Sequence, residues 1–228
     1  MRKLTFTIII VFLIVNPATL PVYAGTWSDS FDRVELGSPW RGDTDNFSIL
    51  DGAVRGINAH PILLLPLKWV EVGRGWDDYV VQCRINVVTP NLLECTKGAL
   101  LLRHNGKEGY VFALHVATKT VEVYSLSDGK MLLSKEEPLE LETWYEVRAE
   151  LQGENMSFFV DGKLIGKLTD RRSASGSVGL AVQDTLKVLF DDFSVMGPGV
   201  DPGTAGIKRE EKLPSVWASI KTGSVSDF

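Results

Sequence analysis

From Gly25 to Met196 the chain alternates apolar and polar residues with a period of two. Tyr145, Val147, Ala149 and Leu151 share one parity, and Glu146, Arg148, Glu150 and Gln152 the other. Val81, Cys83, Ile85 and Val87 alternate with Gln82, Arg84 and Asn86, and Val121 and Val123 with Glu122 and Tyr124. Successive side chains of a strand point to opposite faces, so this pattern predicts antiparallel strands buried on one side and wet on the other. Asp51-Gly52, Asp128-Gly129 and Asp161-Gly162 fall between such segments. Asp-Gly supplies the positive φ values of tight hairpin turns, so each pair predicts a hairpin. Gln152-Gly-Glu-Asn155 predicts a fourth turn. Roughly twelve to thirteen short strands without a helix make this span an all-β sandwich or barrel.

The pattern changes at both ends. Arg2 and Lys3 precede an apolar run from Leu4 to Val15, and Val22-Tyr23-Ala24 fits a small-residue cleavage pattern. Twelve apolar residues are too few to cross about 30 Å of hydrocarbon as a helix. Residues 1–24 therefore read as a secretory signal, with an uncleaved anchor as the alternative, and Gly25 as the first mature residue. At the other end the domain is expected to stop at Met196, and 197–211, opening with Gly197-Pro-Gly-Val-Asp-Pro-Gly203, reads as a flexible linker. In 212–228, Leu213, Val216, Trp217 and Ile220 lie at i, i+3, i+4 and i+7, which predicts a short amphipathic helical tail. So short a helix is not stable alone in water. It docks, binds a partner protein or stays loose.

A secreted, periplasmic or cell-envelope location follows from that leader. Of the 228 residues 44% are hydrophobic and 23% charged, which is ordinary globular composition. The net charge of -5, falling to -7 once Arg2 and Lys3 are removed, argues against nucleic acid and against an anionic membrane surface. No membrane span remains after signal cleavage. The two cysteines, Cys83 and Cys95, either form a disulfide, which export permits, or stay as two small buried thiols. Asn46-Phe-Ser48 and Asn155-Met-Ser157 are glycosylation sequons, relevant only in a glycosylating host.

Several stretches, in order, carry a resemblance. They are Asp29-Ser-Phe-Asp32 with Trp40 behind it; Trp76-Asp-Asp-Tyr79; Gly98-Ala-Leu-Leu-Leu-Arg103 with Gly109-Tyr110-Val-Phe112; Trp144-Tyr145-Glu-Val-Arg148 with Val160-Asp161-Gly162; and Ser175-Gly-Ser-Val-Gly179 with Phe190-Asp-Asp-Phe193. Over roughly residues 27–196 the chain resembles the concanavalin A-like lectin/glucanase superfamily, in its laminin G-like and 3-keto-disaccharide hydrolase-like branch. The resemblance implies a two-sheet antiparallel jelly roll with one concave face. It also implies that Trp76 and Trp144 pack in the core. Glucanases of this fold often hold a structural calcium ion, and the matching positions are Asp32, Gly52 and Asp191.

The catalytic pattern of sandwich glucanases, alternate acids on one strand, is missing. Glu146 and Glu150 share a face with Arg148 between them, which reads as a solvated ion pair, and Asp77 and Asp78 point apart. No catalytic residue is assigned. Sugar sites combine aromatic platforms with a few fixed polar groups. The candidates are Trp69, Trp76, Arg103, His104, Tyr110, His115 and Tyr124, with Arg103 alternatively a structural ion pair and Tyr110 and His115 on opposite faces of one strand. The reading is an exported, non-catalytic module that binds glycan on a curved sheet face left free. The alternatives are a glycoside hydrolase-like enzyme acting on keto-disaccharides or polysaccharide, and an adhesion module that binds protein.

Overall fold

The computed structural model describes residues 25–59, 66–91 and 95–205. The signal segment and the tail helix expected from the sequence lie outside the described residues. In chain order the strands are β1 (Gly25–Asp29), β2 (Arg41–Gly42), β3 (Phe47–Leu50), β4 (Ala53–Asn58) and β5 (Lys68–Trp76). Then come β6 (Tyr79–Pro90), β7 (Lys97–His104), β8 (Tyr110–His115), β9 (Thr120–Ser125), β10 (Met131–Glu136) and β11 (Trp144–Gln152). The last are β12 (Asn155–Val160), β13 (Lys163–Thr169), β14 (Gly176–Gln183), β15 (Thr185–Gly197) and β16 (Gly203–Ala205).

They form two facing sheets. Sheet A runs β13-β12-β11-β6-β15-β1-β16, with the β3/β4 hairpin joined to β15 through β4. Sheet B runs β10-β9-β8-β7-β14-β5-β2. The pairings are antiparallel except that of β1 with β16. β16 lies inside the segment expected to be a linker, so the chain rejoins sheet A after the break at Gly197–Pro202.

The turns follow from local chemistry. Asp51 and Gly52 have φ of 52° and 78°, and Asp161 and Gly162 have 47° and 74°, as two-residue hairpins require. At Asp128-Gly129 only Gly129 has positive φ, and the loop from Ser125 to Lys130 is wider.

The core lies between the sheets. Tyr79, Val81, Cys83, Ile85 and Val87 of β6 face Leu100, Leu102, Phe112 and Leu114 of sheet B, and Phe112 meets Phe158 edge-on at 5.0 Å. Burying each such side chain contributes about 1.5–3 kcal/mol. A Cβ on Gly98 would come within 2.8 Å of Ile85 and Val188, so glycine lets β7 approach sheet A closely. Trp76 belongs to this core, as expected.

Two core expectations are corrected. Trp144 shares parity with Glu146 and Arg148, so it sits half-buried on the outer side of sheet A, with Arg84 over its ring at 4.7 Å. Cys83 and Cys95 are free thiols, not a disulfide. Cys83 faces the core in mid-β6, and its Sγ donates to the Asp191 carbonyl at 3.3 Å. Cys95 lies beyond the far end of β6, seven residues of strand and about 20 Å away, whereas a disulfide needs Cα atoms within about 7 Å. Burial pushes the Cys83 thiol pKa up, which keeps it protonated.

Candidate ligand-binding site

The outer face of sheet B is ordered in transverse rows. One row runs Glu122, Ala113, Ala99, Ala181, Trp69, and the next Tyr124, Val111, Leu101, Gly179, Glu71, Arg41. Small and aliphatic side chains form the middle, and aromatic and charged ones stand at both sides. At about 4.8 Å per strand, Trp69 and Glu122 are roughly 19 Å apart.

The middle of this face is closed. Ala99, Leu101, Val111, Ala113 and Ala181 are fully buried, with Leu67, Trp69, Tyr124 and Leu126 packed against them. The free curved surface expected from the sequence is therefore corrected: β7 and β8 are buried on both sides. The reason is in the residues. Gly98–Leu102 and Tyr110–Leu114 are apolar at both parities, the composition of strands covered on two faces.

On one side of the face, Lys97 Nζ lies 2.8 Å from Glu122 Oε2, and His115 Nδ1 lies 2.9 Å from Glu122 Oε1. The Thr120 hydroxyl also donates to Oε1, at 3.0 Å, and the Lys97 ammonium sits 5.0 Å from the centre of the Tyr124 ring. Burial alone would raise the Glu122 pKa, but His115 and then Lys97 hold it down at about 2. Burial, then the Glu122 charge, pushes the Tyr124 phenol up.

The other side is open. A cavity of about 370 Å³ is lined by Arg41, Glu71, Arg74, His104, the Asn105-Gly106 turn and Ser175–Ser177. Glu71 Oε2 is 2.5 Å from His104 Nδ1, and Trp69 meets the His104 ring edge-on at 5.3 Å. Arg41 donates to the Gly73 carbonyl at 2.8 Å and to Ser177 Oγ at 3.4 Å, and lies 3.8 Å from Glu71 Oε1.

A bulge delivers His104 to this cavity. Between Ser177 and Gly179 of β14, β7 runs from His104 to Leu101 and so carries one extra residue. Arg103 takes φ of 47° there, which turns His104 outward and Arg103 toward the end of the core. A Cβ on Gly176 would fall 2.4 Å from the Arg103 carbonyl carbon, so only glycine fits against the bulge.

Arg103 is fully buried and does not line the cavity. Its Nε and Nη2 donate to the Asp77 carbonyl at 3.0 and 2.7 Å. Its Nη1 donates to the carbonyls of Gly153 and Ser173, and Asp78 lies 3.6 Å from Nη2. This clamp ties the β5–β6 turn, the β11–β12 turn and the Ser173 loop to β7. Tyr110 is also buried: its hydroxyl donates to Asp170 Oδ1 at 2.8 Å and accepts from the Ser173 amide. Both sequence candidates are thus committed to structural partners. The fold brings Trp69 to His104, and separately places His115 and Tyr124 on either side of Glu122. Sequence reasoning missed Arg41, Glu71 and Arg74. Glu71 was accessible to it, since Val70 and Val72 are inward and put Glu71 beside Trp69.

For calcium, Asp32 lies against Gly52, its Oδ1 3.4 Å from where a Gly52 Cβ would be, while Asp191 has Arg84 Nη1 3.8 Å from its Oδ2. Among the described residues no three or more His, Cys, Asp or Glu side chains gather into a metal site. The three positions bring two carboxylates, one beside an arginine, which is a poor match to a cation that takes 6–8 oxygens. The donor set does not fit the ion. Arg148 and Glu150 form the outer-face ion pair expected from their spacing.

Among solved structures, the carbohydrate binding module CBM66 from Bacillus subtilis superposes with a TM-score of 0.61 at 16% identity, over 72% of this chain and 97% of that one. The endo-beta-1,3-glucanase from Pyrococcus furiosus gives 0.57 at 12% identity, over 75% and 93%. The chain has a concanavalin A-like jelly-roll fold. A prokaryotic beta-1,3-1,4-glucanase (lichenase) derived from a mouse hindgut metagenome matches this jelly roll at 0.55 and 12% identity, over 76% and 99%. At these identities the likeness is one of fold. No protein-family model and no curated protein sequence matches the chain. Among the described residues of the jelly roll, no helix is long and apolar enough to cross a membrane.

Proposed function

We propose that this jelly roll is a non-catalytic carbohydrate-binding module whose site is the cavity between Glu71 and His104. The observation that carries this reading is an open cavity with polar groups already fixed in place. Glu71 is held by His104, Arg41 by Gly73 and Ser177, and Trp69 braces the imidazole. Sugar hydroxyls need such preset donors and acceptors, because each group ordered beforehand costs less on binding. The fold it shares with a carbohydrate binding module supports the same class of ligand. Glycosidases need two facing carboxylates about 5–9.5 Å apart. Glu71 is the one acid among the described residues that line the cavity, which favours binding over cleavage. The apolar run within residues 1–24 supports work outside the cytoplasm.

A glycan array probed with the mature chain, Gly25 to Phe228, tests the reading. His104→Ala is expected to weaken binding about fivefold to tenfold, the worth of one net hydrogen bond. Binding that His104→Ala leaves unchanged removes this cavity as the site. Sugar released from a bound oligosaccharide replaces the binding reading with a hydrolase.

A further inference from the structure

The cavity at Glu71 and His104 carries the wrong charge for its protein. The chain as a whole has a net charge of -5, yet this lining places two guanidinium groups, Arg41 and Arg74, against one carboxylate. That carboxylate is already engaged on both oxygens, by His104 at 2.5 Å and by Arg41 at 3.8 Å. Arg74 differs from Arg41: it is exposed at the cavity lip, next to Gly75, and has no hydrogen bond or ion pair among the described residues. A cavity with walls of low dielectric focuses the field of such groups, so a cation lining one attracts anions despite an acidic surface elsewhere. A guanidinium offers paired N–H groups that match the two oxygens of a carboxylate or sulfate.

We propose that the cavity selects an anionic sugar, one bearing a carboxylate or sulfate group, and that Arg74 recognises the charge. This rests on the carbohydrate reading above and narrows it. Ser175, Ser177 and Asn105 supply neutral hydrogen-bonding groups around the same space for ring hydroxyls. Arg41 and Glu71 set the floor, and Arg74 is the charged group of the lining with no partner among the described residues. The negative group therefore sits at the lip and the neutral part of the ring lies inward.

Isothermal titration of the mature chain tests this with three probes: tetragalacturonate, a galactan tetrasaccharide carrying sulfate, and the neutral galactan tetrasaccharide. One or both anionic probes are expected to bind about tenfold or more tighter than the neutral one, as a charge-assisted hydrogen bond implies. Which of the two wins identifies carboxylate or sulfate as the source. The preference is expected to fade between about 0.01 M and about 1 M salt, as the screening length falls from about 30 Å to about 3 Å. Arg74→Ala is expected to bring the affinity for the anionic probes down to that for the neutral one, while Arg74→Lys retains part of the preference. Equal or tighter binding of the neutral probe overturns the inference, and so does a preference that survives in Arg74→Ala. If a glycan array finds neutral ligands only, this inference fails while the carbohydrate reading stands. If no glycan binds at all, the carbohydrate reading fails with it.

Discussion

Arg103 and His104 are adjacent in β7, and the one-residue bulge sends them to opposite surroundings. Arg103 is fully buried in a cage in which three backbone carbonyls and Asp78 take up its donors. His104 lines an open cavity in which its partners are side chains, Glu71 and Trp69. The difference lies in what is left over. A guanidinium spent on carbonyls from three different loops has no capacity for a ligand, so it holds the fold. A cavity with side chains held in pairs and one arginine unspent keeps capacity for a partner. Charge alone did not distinguish the two regions; the identity of the acceptors does.

The largest effect expected from breaking this contrast is at the cage. Arg103→Met takes a fully buried guanidinium away from the carbonyls of Asp77, Gly153 and Ser173. Removing one partner of a buried charged network costs about 3–5 kcal/mol. Urea denaturation of residues 25–228 should register a loss of that size. A loss below about 1 kcal/mol means that water or neighbouring residues replace the guanidinium, and the cage is then not structural.

The middle of the scale lies across the same face, at Glu122. This carboxylate is buried and held by Lys97 and His115, with Thr120 and Tyr124 half-buried beside it, rather than standing in an open cavity. Its pKa is held at about 2 against an ordinary value of 4.5. A depressed carboxylate pKa stabilises the fold above the ordinary value, and that contribution is lost as pH falls from about 4.5 toward 2. Glu122→Gln is therefore expected to cost about 1–2 kcal/mol near pH 7, and the gap from the parent should close as the pH is lowered through that window. Thermal unfolding of both proteins from pH 7 down to pH 2.5 reads it. A gap that does not shrink on acidification means the carboxylate charge is not what Lys97 and His115 hold.

Much of the scaffold was legible in the residues. The hairpins at Asp51-Gly52 and Asp161-Gly162 follow from turn chemistry, and the alternation in β11 put Val147 and Ala149 inside and Arg148 and Glu150 outside. What strict alternation hides is the bulge. Parity alone puts Arg103 on the outer face with Leu101, and His104 inside. One extra residue reverses both, and an arginine at positive φ leaves no mark of it where a glycine would. Two errors were avoidable. The doubly apolar Gly98–Leu102 and Tyr110–Leu114 already indicated burial on both faces. Trp144 has the parity of Glu146, which already spoke against the core position that the resemblance implies. Arg41 and Arg74 gave no such signal, because their meeting with Glu71 depends on β2 joining the edge of sheet B and on the turn of β5 at Gly73.

The smallest expected effect on stability is the sharpest form of the contrast. Arg74 and Arg103 are both arginines at the same end of sheet B, one with all three guanidinium nitrogens donating and one with no donor taken by the described residues. If the remaining capacity of a group decides its role, Arg74→Ala should leave stability within about 0.5 kcal/mol of the parent, the range of an exposed substitution away from structural features. It should at the same time change what the cavity binds, while Arg103→Met changes stability first and binding only through the displaced bulge. The two variants measured side by side, by urea denaturation and by titration with tetragalacturonate, give four numbers. An Arg74→Ala variant destabilised by more than about 1 kcal/mol would place Arg74 with Arg103 as part of the scaffold, and the division between cage and cavity would not hold.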